Sequence, residues 1–471
     1  MTRHSRFLSP LLLLGVIVSP ALGAPVEWDK PTISGNVTWS GEIVLRQNVV
    51  VSPGATLRIL PGTSVTVGTG KGIGLTVLGR LLVEGEERAK VTFLPEKPRW
   101  TKVLWGGIRL LGGPRAGHLL SGFRIEGAQE GITLTETSAR IANGVFAACE
   151  TGVRGNQKSQ AAVDNCLFEG NDAGAVISLG GEGIFRRCRL VNIEGYGIVA
   201  DKGAVLKMSG CSFSRGKTGV FSLTDSPFRV ENSTFLSLEK GIVVRQAGRD
   251  SVISRCSFEN NGTAILAVQF CAVEVADSVF RENLTALDVQ EFSAPKIHHN
   301  RFEANQSAVN LLRKSHAVIE HDVFVHNRNA VVVNYSSYPK IFGNNFDRND
   351  MNVRLEKFQS GDWEERVGSQ GLIGAEVVRR GSRNVELATQ KIPLPKRIDA
   401  KGNYWGPDAD RDPVKGTLGK IWDGRKFGPV RYEGFGDAEY DIDVIDFSEE
   451  VLSPVPEAGP RGGAIGTGET R

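Results

Sequence analysis

Ser254-Arg255-Cys256-Ser257-Phe258-Glu259-Asn260-Asn261-Gly262-Thr263-Ala264-Ile265-Leu266-Ala267 is one unit of a repeat that runs through the middle of the chain. Cys256 and Phe258 alternate with polar Arg255 and Ser257, the period-two pattern of a strand with one buried face. Asn261 and Gly262 tolerate left-handed backbone and mark a turn. Ala264-Ile265-Leu266 then begins a second apolar strand. A third short strand precedes each unit, here Val252-Ile253 and later Lys296-Ile297, Ala317-Val318-Ile319 and Lys340-Ile341.

Aligned on the aromatic, the column reads Ile125, Phe146, Phe168, Leu190, Phe213, Phe235, Phe258, Phe280, Phe302, Phe324 and Phe346, at spacings of 21 to 23 residues. No helical period accompanies it. Three short strands in about 22 residues are too few for a propeller blade and too strand-rich for a leucine-rich repeat. The reading is all-β, a single-stranded parallel β-helix. Its coils stack about 4.8 Å apart, so equivalent side chains form ladders. Phe258, Phe280, Phe302, Phe324 and Phe346 should fill the interior. Asn261, Asn283, Asn305, Asn327 and Asn349 should form an amide ladder along one turn.

The flanks divide the chain further. Residues 1–23 read as a secretory signal peptide: Arg3 and Arg6, an apolar run from Leu11 to Val18, then small residues before Ala24. The run is shorter than the roughly 20 residues that span a bilayer. The expectation is therefore an exported protein without a membrane span, in the periplasm, at the cell surface or secreted. Residues 24–119 read as irregular starting coils that cap the stack, with turns such as Pro53-Gly54 and Pro61-Gly62. Regular repeats occupy 120–355. Residues 356–452 form a closing segment, with a short helix near 372–380, and the Pro/Gly-rich stretch 453–471 reads as a disordered tail.

A formal net charge of +3 over 471 residues argues against nucleic acid as a partner. Four of the six cysteines, Cys166, Cys188, Cys211 and Cys256, share the inward column two residues before the aromatic, where Ser233, Ser278, Asn300, Asp322 and Asn344 stand in other repeats. Stacked side chains point the same way and not at one another, which favours buried free thiols over disulfides. The cysteine spacing matches neither a haem nor a zinc motif.

The Phe/Asn repeat resembles the right-handed parallel β-helix repeat proteins of the pectin-lyase-like superfamily, exported bacterial type. The N-terminal run Thr38-Trp39-Ser40-Gly41, Pro53-Gly54-Ala55-Thr56-Leu57 and Trp105-Gly106-Gly107-Ile108 is similar to their opening coils. Gly402-Asn403-Tyr404-Trp405-Gly406, followed by Asp423-Gly424-Arg425 and Gly428-Pro429-Val430-Arg431-Tyr432, is similar to their closing segment. The resemblance implies right-handedness and leaves function open among lyases, hydrolases, epimerases, adhesins and carbohydrate-binding scaffolds. Some exported members serve in maturation of the copper site of nitrous oxide reductase, so the resemblance also implies copper as a candidate metal.

Glycan-cleaving chemistry needs carboxylates paired across a groove, or a basic residue beside acidic ones. Asp277, Arg301, Glu303 and Glu320 are the candidates, with Glu282 and Asp347 nearby, but they fall in different columns and are interrupted by Arg281 and Arg348. His299 and His321 are 22 residues apart, each one before the inward column, and should point outward one above the other. With His298, Glu320 and His326 close in sequence, the pair is a candidate site for copper or zinc. Asp441, Asp443 and Asp446 alternate as a calcium loop's ligands do but without its glycine, and read as a half-buried strand with an acidic face; copper, zinc and calcium are the candidate metals. Tyr404 and Trp405 can stack on a sugar ring or close the last coil. No cofactor is expected. The reading is a scaffold, catalytic activity not expected, that binds polysaccharide or a cell-envelope protein; the alternatives are a polysaccharide lyase, hydrolase or epimerase, and periplasmic copper handling.

Overall fold

The computed structural model describes residues 16–18, 25–96, 104–111, 113, 116–246, 250–334, 337–356, 397–407, 421–423, 445–446, 449 and 451–461. The helix expected near 372–380, and Asp441 and Asp443, lie outside them. The described chain is all-β, a parallel solenoid of about 14 turns.

Each coil contributes to three parallel ladders. The first holds Val252–Ser254, Glu274–Ala276, Lys296–His298, Val318–Glu320 and Lys340–Phe342, with Ile253, Val275, Ile297, Ile319 and Ile341 in register. The second holds Ser257–Glu259, Val279–Arg281, Arg301–Glu303, Val323–Val325 and Asn345–Asp347, with the phenylalanines opposite one another. The third holds six-residue strands such as Thr263–Val268, Thr285–Gln290 and Ser307–Leu312. Ser212–Leu223 and Thr234–Arg245 run through the corner between the second and third ladders and join them into one sheet.

A sharp corner separates the first ladder from the second. It is a single left-handed residue per coil: Asn143, Asn165, Arg187, Gly210, Asn232, Arg255, Asp277, His299, His321 and Gly343 all have φ between 49° and 66°. Only some residue types accept that conformation cheaply, and Asn, Asp, His and Gly lead them. The backbone thus accounts for most of this column's composition.

The interior is a set of ladders. Phe213, Phe235, Phe258, Phe280, Phe302, Phe324 and Phe346 stack at centroid separations of 4.7 to 4.9 Å, and Trp405 stacks on Phe346 at 4.6 Å. Asn261 donates its backbone N–H and side-chain amide to Asn283 Oδ1, both at 3.0 Å, and the pattern repeats through Asn305, Asn327 and Asn349. The column beginning at Cys256 forms a second ladder. Backbone N–H groups donate from Cys256 to Ser278 Oγ, Ser278 to Asn300 Oδ1, Asn300 to Asp322 Oδ1, Asp322 to Asn344 Oδ1 and Asn344 to Asn403 Oδ1. All six cysteines are free and buried. Burial pushes the thiols of Cys149, Cys166 and Cys256 up to about 12.

The described residues between 25 and 119 carry the same ladders. Asn36–Trp39, Thr56–Ile59 and Arg80–Glu84 stack in parallel and continue into His118–Ser121. Val16–Val18 pairs with Val37–Trp39 at the start of the stack. At the other end, Asn403 and Trp405 extend the amide and ring ladders by one coil. Residues 453–461, expected to begin a disordered tail, instead lie back along the corner column. Val455 exchanges two hydrogen bonds with the Asn345 side chain (2.7 and 2.9 Å), and Gly459 N–H donates to His321 O at 2.8 Å.

Candidate functional site

His299 and His321 are neighbours on the outside of the corner, with rings 5.2 Å apart and 13° from parallel. The spacing follows from one corner residue per coil. His298 lies on the outer face of the first ladder, beside inward Ile297, and is nevertheless covered; its Nε2 lies 2.9 Å from Glu274 Oε1 and its Nδ1 3.0 Å from His299 Nδ1. His298 therefore bridges the Glu274 carboxylate and the His299 ring. Burial, then Arg461 and the adjacent imidazoles, hold His299 below its ordinary pKa. His326 lies at the other corner, after Phe324, and does not join the pair. Glu320 is taken by Lys296 at 2.9 Å. Among the described residues no group of three or more His, Cys, Asp or Glu side chains is placed to hold a metal ion. The two stacked imidazoles offer nitrogen ligands, but a closed tetrahedral set would need others.

The carboxylates named from the sequence do not converge. Asp277 is clamped by Arg461, whose Nε and Nη2 donate to its two oxygens at 2.9 and 3.0 Å while the Arg461 backbone N–H donates at 3.0 Å. Burial alone would raise the Asp277 pKa, but these bonds hold it below the usual range. Glu303 receives Arg301 at 3.0 Å and Arg281 at 3.2 Å, and they too outweigh burial and lower its pKa. A general acid in glycoside cleavage needs the opposite shift. Asp288, on the outer face of the third ladder, has that shift: burial raises it against bonds from Gln290 and Asn310. It was not singled out from the sequence, because a lone Asp in an outward column carries no pattern.

The outer face of the third ladder holds a feature that the repeat alignment did not expose. Val176, Val199, Phe221, Val243 and Leu266 occupy one outward column on five successive coils. Tyr196, 43% exposed, stacks on Phe221 at 5.1 Å, and Leu223 and Val268 flank the column. Polar groups close both ends, Arg154 bonded to Glu130 on one side and Asp288 bonded to Asn310 on the other. Five coils at about 4.8 Å make a stripe roughly 19 Å long. A concavity of about 480 Å³ lies between Glu86, Glu87 and Lys90 and the corner residues Asn143, Asn165 and Arg187.

Two family models support the architecture. A family model described as periplasmic copper-binding protein (NosD) matches residues 180–407, and one described as right handed beta helix region matches residues 101–235. No curated protein matches the chain. Among solved structures, a GH136 lacto-N-biosidase from Eubacterium ramulus is similar at 10% identity over 64% of this chain, with a TM-score of 0.21. The match spans 62% of that structure, less than two thirds of its length. The two family matches and the parallel ladders of the described residues make this chain a right-handed parallel β-helix repeat protein.

Proposed function

We propose that the protein is an exported, non-catalytic scaffold that docks a cell-envelope protein on the outer face of its third ladder. The apolar column from Val176 to Leu266 carries this reading. Contiguous apolar surface rimmed by polar groups marks an interaction site more often than chance exposure. Stacking turns the shared faces of Tyr196 and Phe221 toward each other and leaves ring edges outward, which suits side chains of a protein better than the face of a pyranose. The clamped states of Asp277, Glu303 and Glu320 support a non-catalytic role.

The test is site-specific cross-linking in whole cells from position 199, with and without Phe221→Asp. One envelope protein should be captured by the parent, and its capture should fall at least tenfold in the variant at an unchanged melting temperature. Retention of the purified chain on a polysaccharide, with the same sensitivity to Phe221→Asp, would replace the protein partner by a glycan. Oligosaccharide products would make the chain an enzyme.

A second reading is copper handling. It is favoured because the copper-binding family model spans His299 and His321. Metal content after copper loading checks it: the double substitution His299→Ala, His321→Ala should then lose bound copper, and equal content would remove the idea.

A further inference from the structure

The C-terminal segment 453–461 is bound along the corner as an extended peptide. From Asn345, where Val455 exchanges its two bonds, the chain turns through Ala458 N–H to Val455 O at 3.2 Å. It reaches His321 one coil back, where buried Gly459 has φ 103°, and a Cβ there would approach Val323 Cγ2 to 3.3 Å. Two coils further on, Arg461 is forked onto Asp277. The groove therefore reads a defined sequence: a residue pairing with an amide, a glycine against the corner, and an arginine two residues later.

The hold is polar and shallow. Gly459 alone among residues 452–461 is buried, and the Arg461 side chain stays 57% exposed. Release of the segment breaks hydrogen bonds and one ion pair but opens no apolar core, so it can proceed without unfolding the coils. The hinge at Leu452, Ser453 and Pro454 is exposed, with Leu452 at 74%. A short exposed hinge joining a terminal element to a body that recognises it is the arrangement from which identical copies exchange elements.

We propose that the corner groove of one copy accepts the segment 453–461 of a second copy, giving tail-exchanged oligomers in which Leu452 is covered where the two chains cross. The occupant is a second copy because the recognised sequence is this chain's own and its charge matches the groove: Arg461 meets Asp277 in either arrangement. This goes beyond the docking face on the third ladder and uses a different surface.

The test is a charge-reversed pair of full-length chains. Arg461→Asp and Asp277→Arg each place like charges together within a chain, so each alone should sediment as a monomer. Mixed, they restore an opposite-charge contact only between copies and should form a one-to-one heterodimer. The parent should show a dimer fraction that rises with concentration. A mixture that stays monomeric overturns the proposal, as does a parent that stays monomeric at every concentration. In case Asp277→Arg disturbs the corner, a labelled peptide spanning residues 451–463 is titrated onto full-length Arg461→Asp, whose Asp277 is intact. Saturable binding that weakens at least tenfold in Arg461→Asp, Asp277→Ala is expected, and absence of binding overturns the idea. Peptide binding without pairing of full-length chains also overturns exchange between copies.

Discussion

One inward column behaves differently in the two halves of the solenoid. In the earlier coils it holds Cys166, Cys188 and Cys211, whose sulfurs approach backbone carbonyls at 3.3 to 3.9 Å. In the later coils it holds Ser278, Asn300, Asp322, Asn344 and Asn403, which link coil to coil at 2.6 to 3.0 Å. The aromatic column changes in parallel. It is mixed up to Leu190 and unbroken from Phe213 to Trp405. Thiols pack as small hydrophobes with weak hydrogen bonding, whereas an amide both donates and accepts and so can join two neighbours. In this column the later coils are thus joined by amide and carboxyl hydrogen bonds, and the earlier ones mainly by packing and the weaker bonds of sulfur.

The largest effect should come from the rings. Phe280 stacks on Phe258 and Phe302, both at 4.9 Å. Phe280→Ala should cost about 3–5 kcal/mol for the cavity, plus about 0.5–1.5 kcal/mol for each lost ring pair. Leu190→Ala in the same column lacks a stacked ring on that residue and should cost less. Denaturant unfolding of the two variants measures the difference. Equal losses would mean that ring stacking adds nothing to burial and would break the comparison.

Next come the amides. The Asn305 side chain accepts from Asn283 twice and donates to Phe280 O and Asn327 Oδ1. Asn171 stands alone in the same turn column, accepting from Cys149 N–H and donating to Phe146 O. Asn305→Ala therefore breaks four side-chain bonds and Asn171→Ala two. At about 1 kcal/mol net for each bond, Asn305→Ala should destabilise by about 2 kcal/mol more. Hydrogen exchange should speed up at the backbone amide of residue 283 in the first variant and of Cys149 in the second.

Much of this was legible in sequence because stacking converts position into contact. A residue every 22 or so must meet its equivalents, so Phe258 through Phe346, the turn asparagines and the pair His299–His321 could be placed without coordinates. Contacts that cross the repeat were hidden. Arg461 and Asp277 are 184 residues apart, and the tail's Pro/Gly composition suits disorder as well as an extended strap. The stripe through Phe221 was hidden for another reason. Its column alternates with the buried one on a strand that is apolar on both faces, and period-two reading needs a polar face to tell them apart. The paired states of Glu303 and Glu320 depend on which neighbouring column supplies the cation, which spacing alone does not fix.

The one effect that depends on pH, and that vanishes near pH 4, concerns the one acid in the late polar ladder. Asn300 donates its side-chain amide to Val275 O, 25 residues back, and Asn344 does the same to Ile319 O, each at 3.0 Å. By the repeat, Asp322 Oδ2 takes the place of those amide nitrogens, and it is buried with no donor reaching it. A protonated carboxyl supplies the missing donor. Burial raises the Asp322 pKa well above the carboxylate range, against the bonds from Asn300. The sign then follows. The unfolded chain releases this proton near pH 4 while the folded chain keeps it, so stability is full below that point and falls as pH rises toward the folded value. Each pH unit within the interval costs at most about 1.4 kcal/mol. Asp322→Asn restores the ladder's donor without a proton to lose. Its melting temperature should equal the parent's near pH 4 and exceed it increasingly toward pH 7. A constant gap across that range would show that Asp322 is ionised in the folded protein, and the late ladder would then contain a buried charge where the comparison requires a continuous chain of neutral donors.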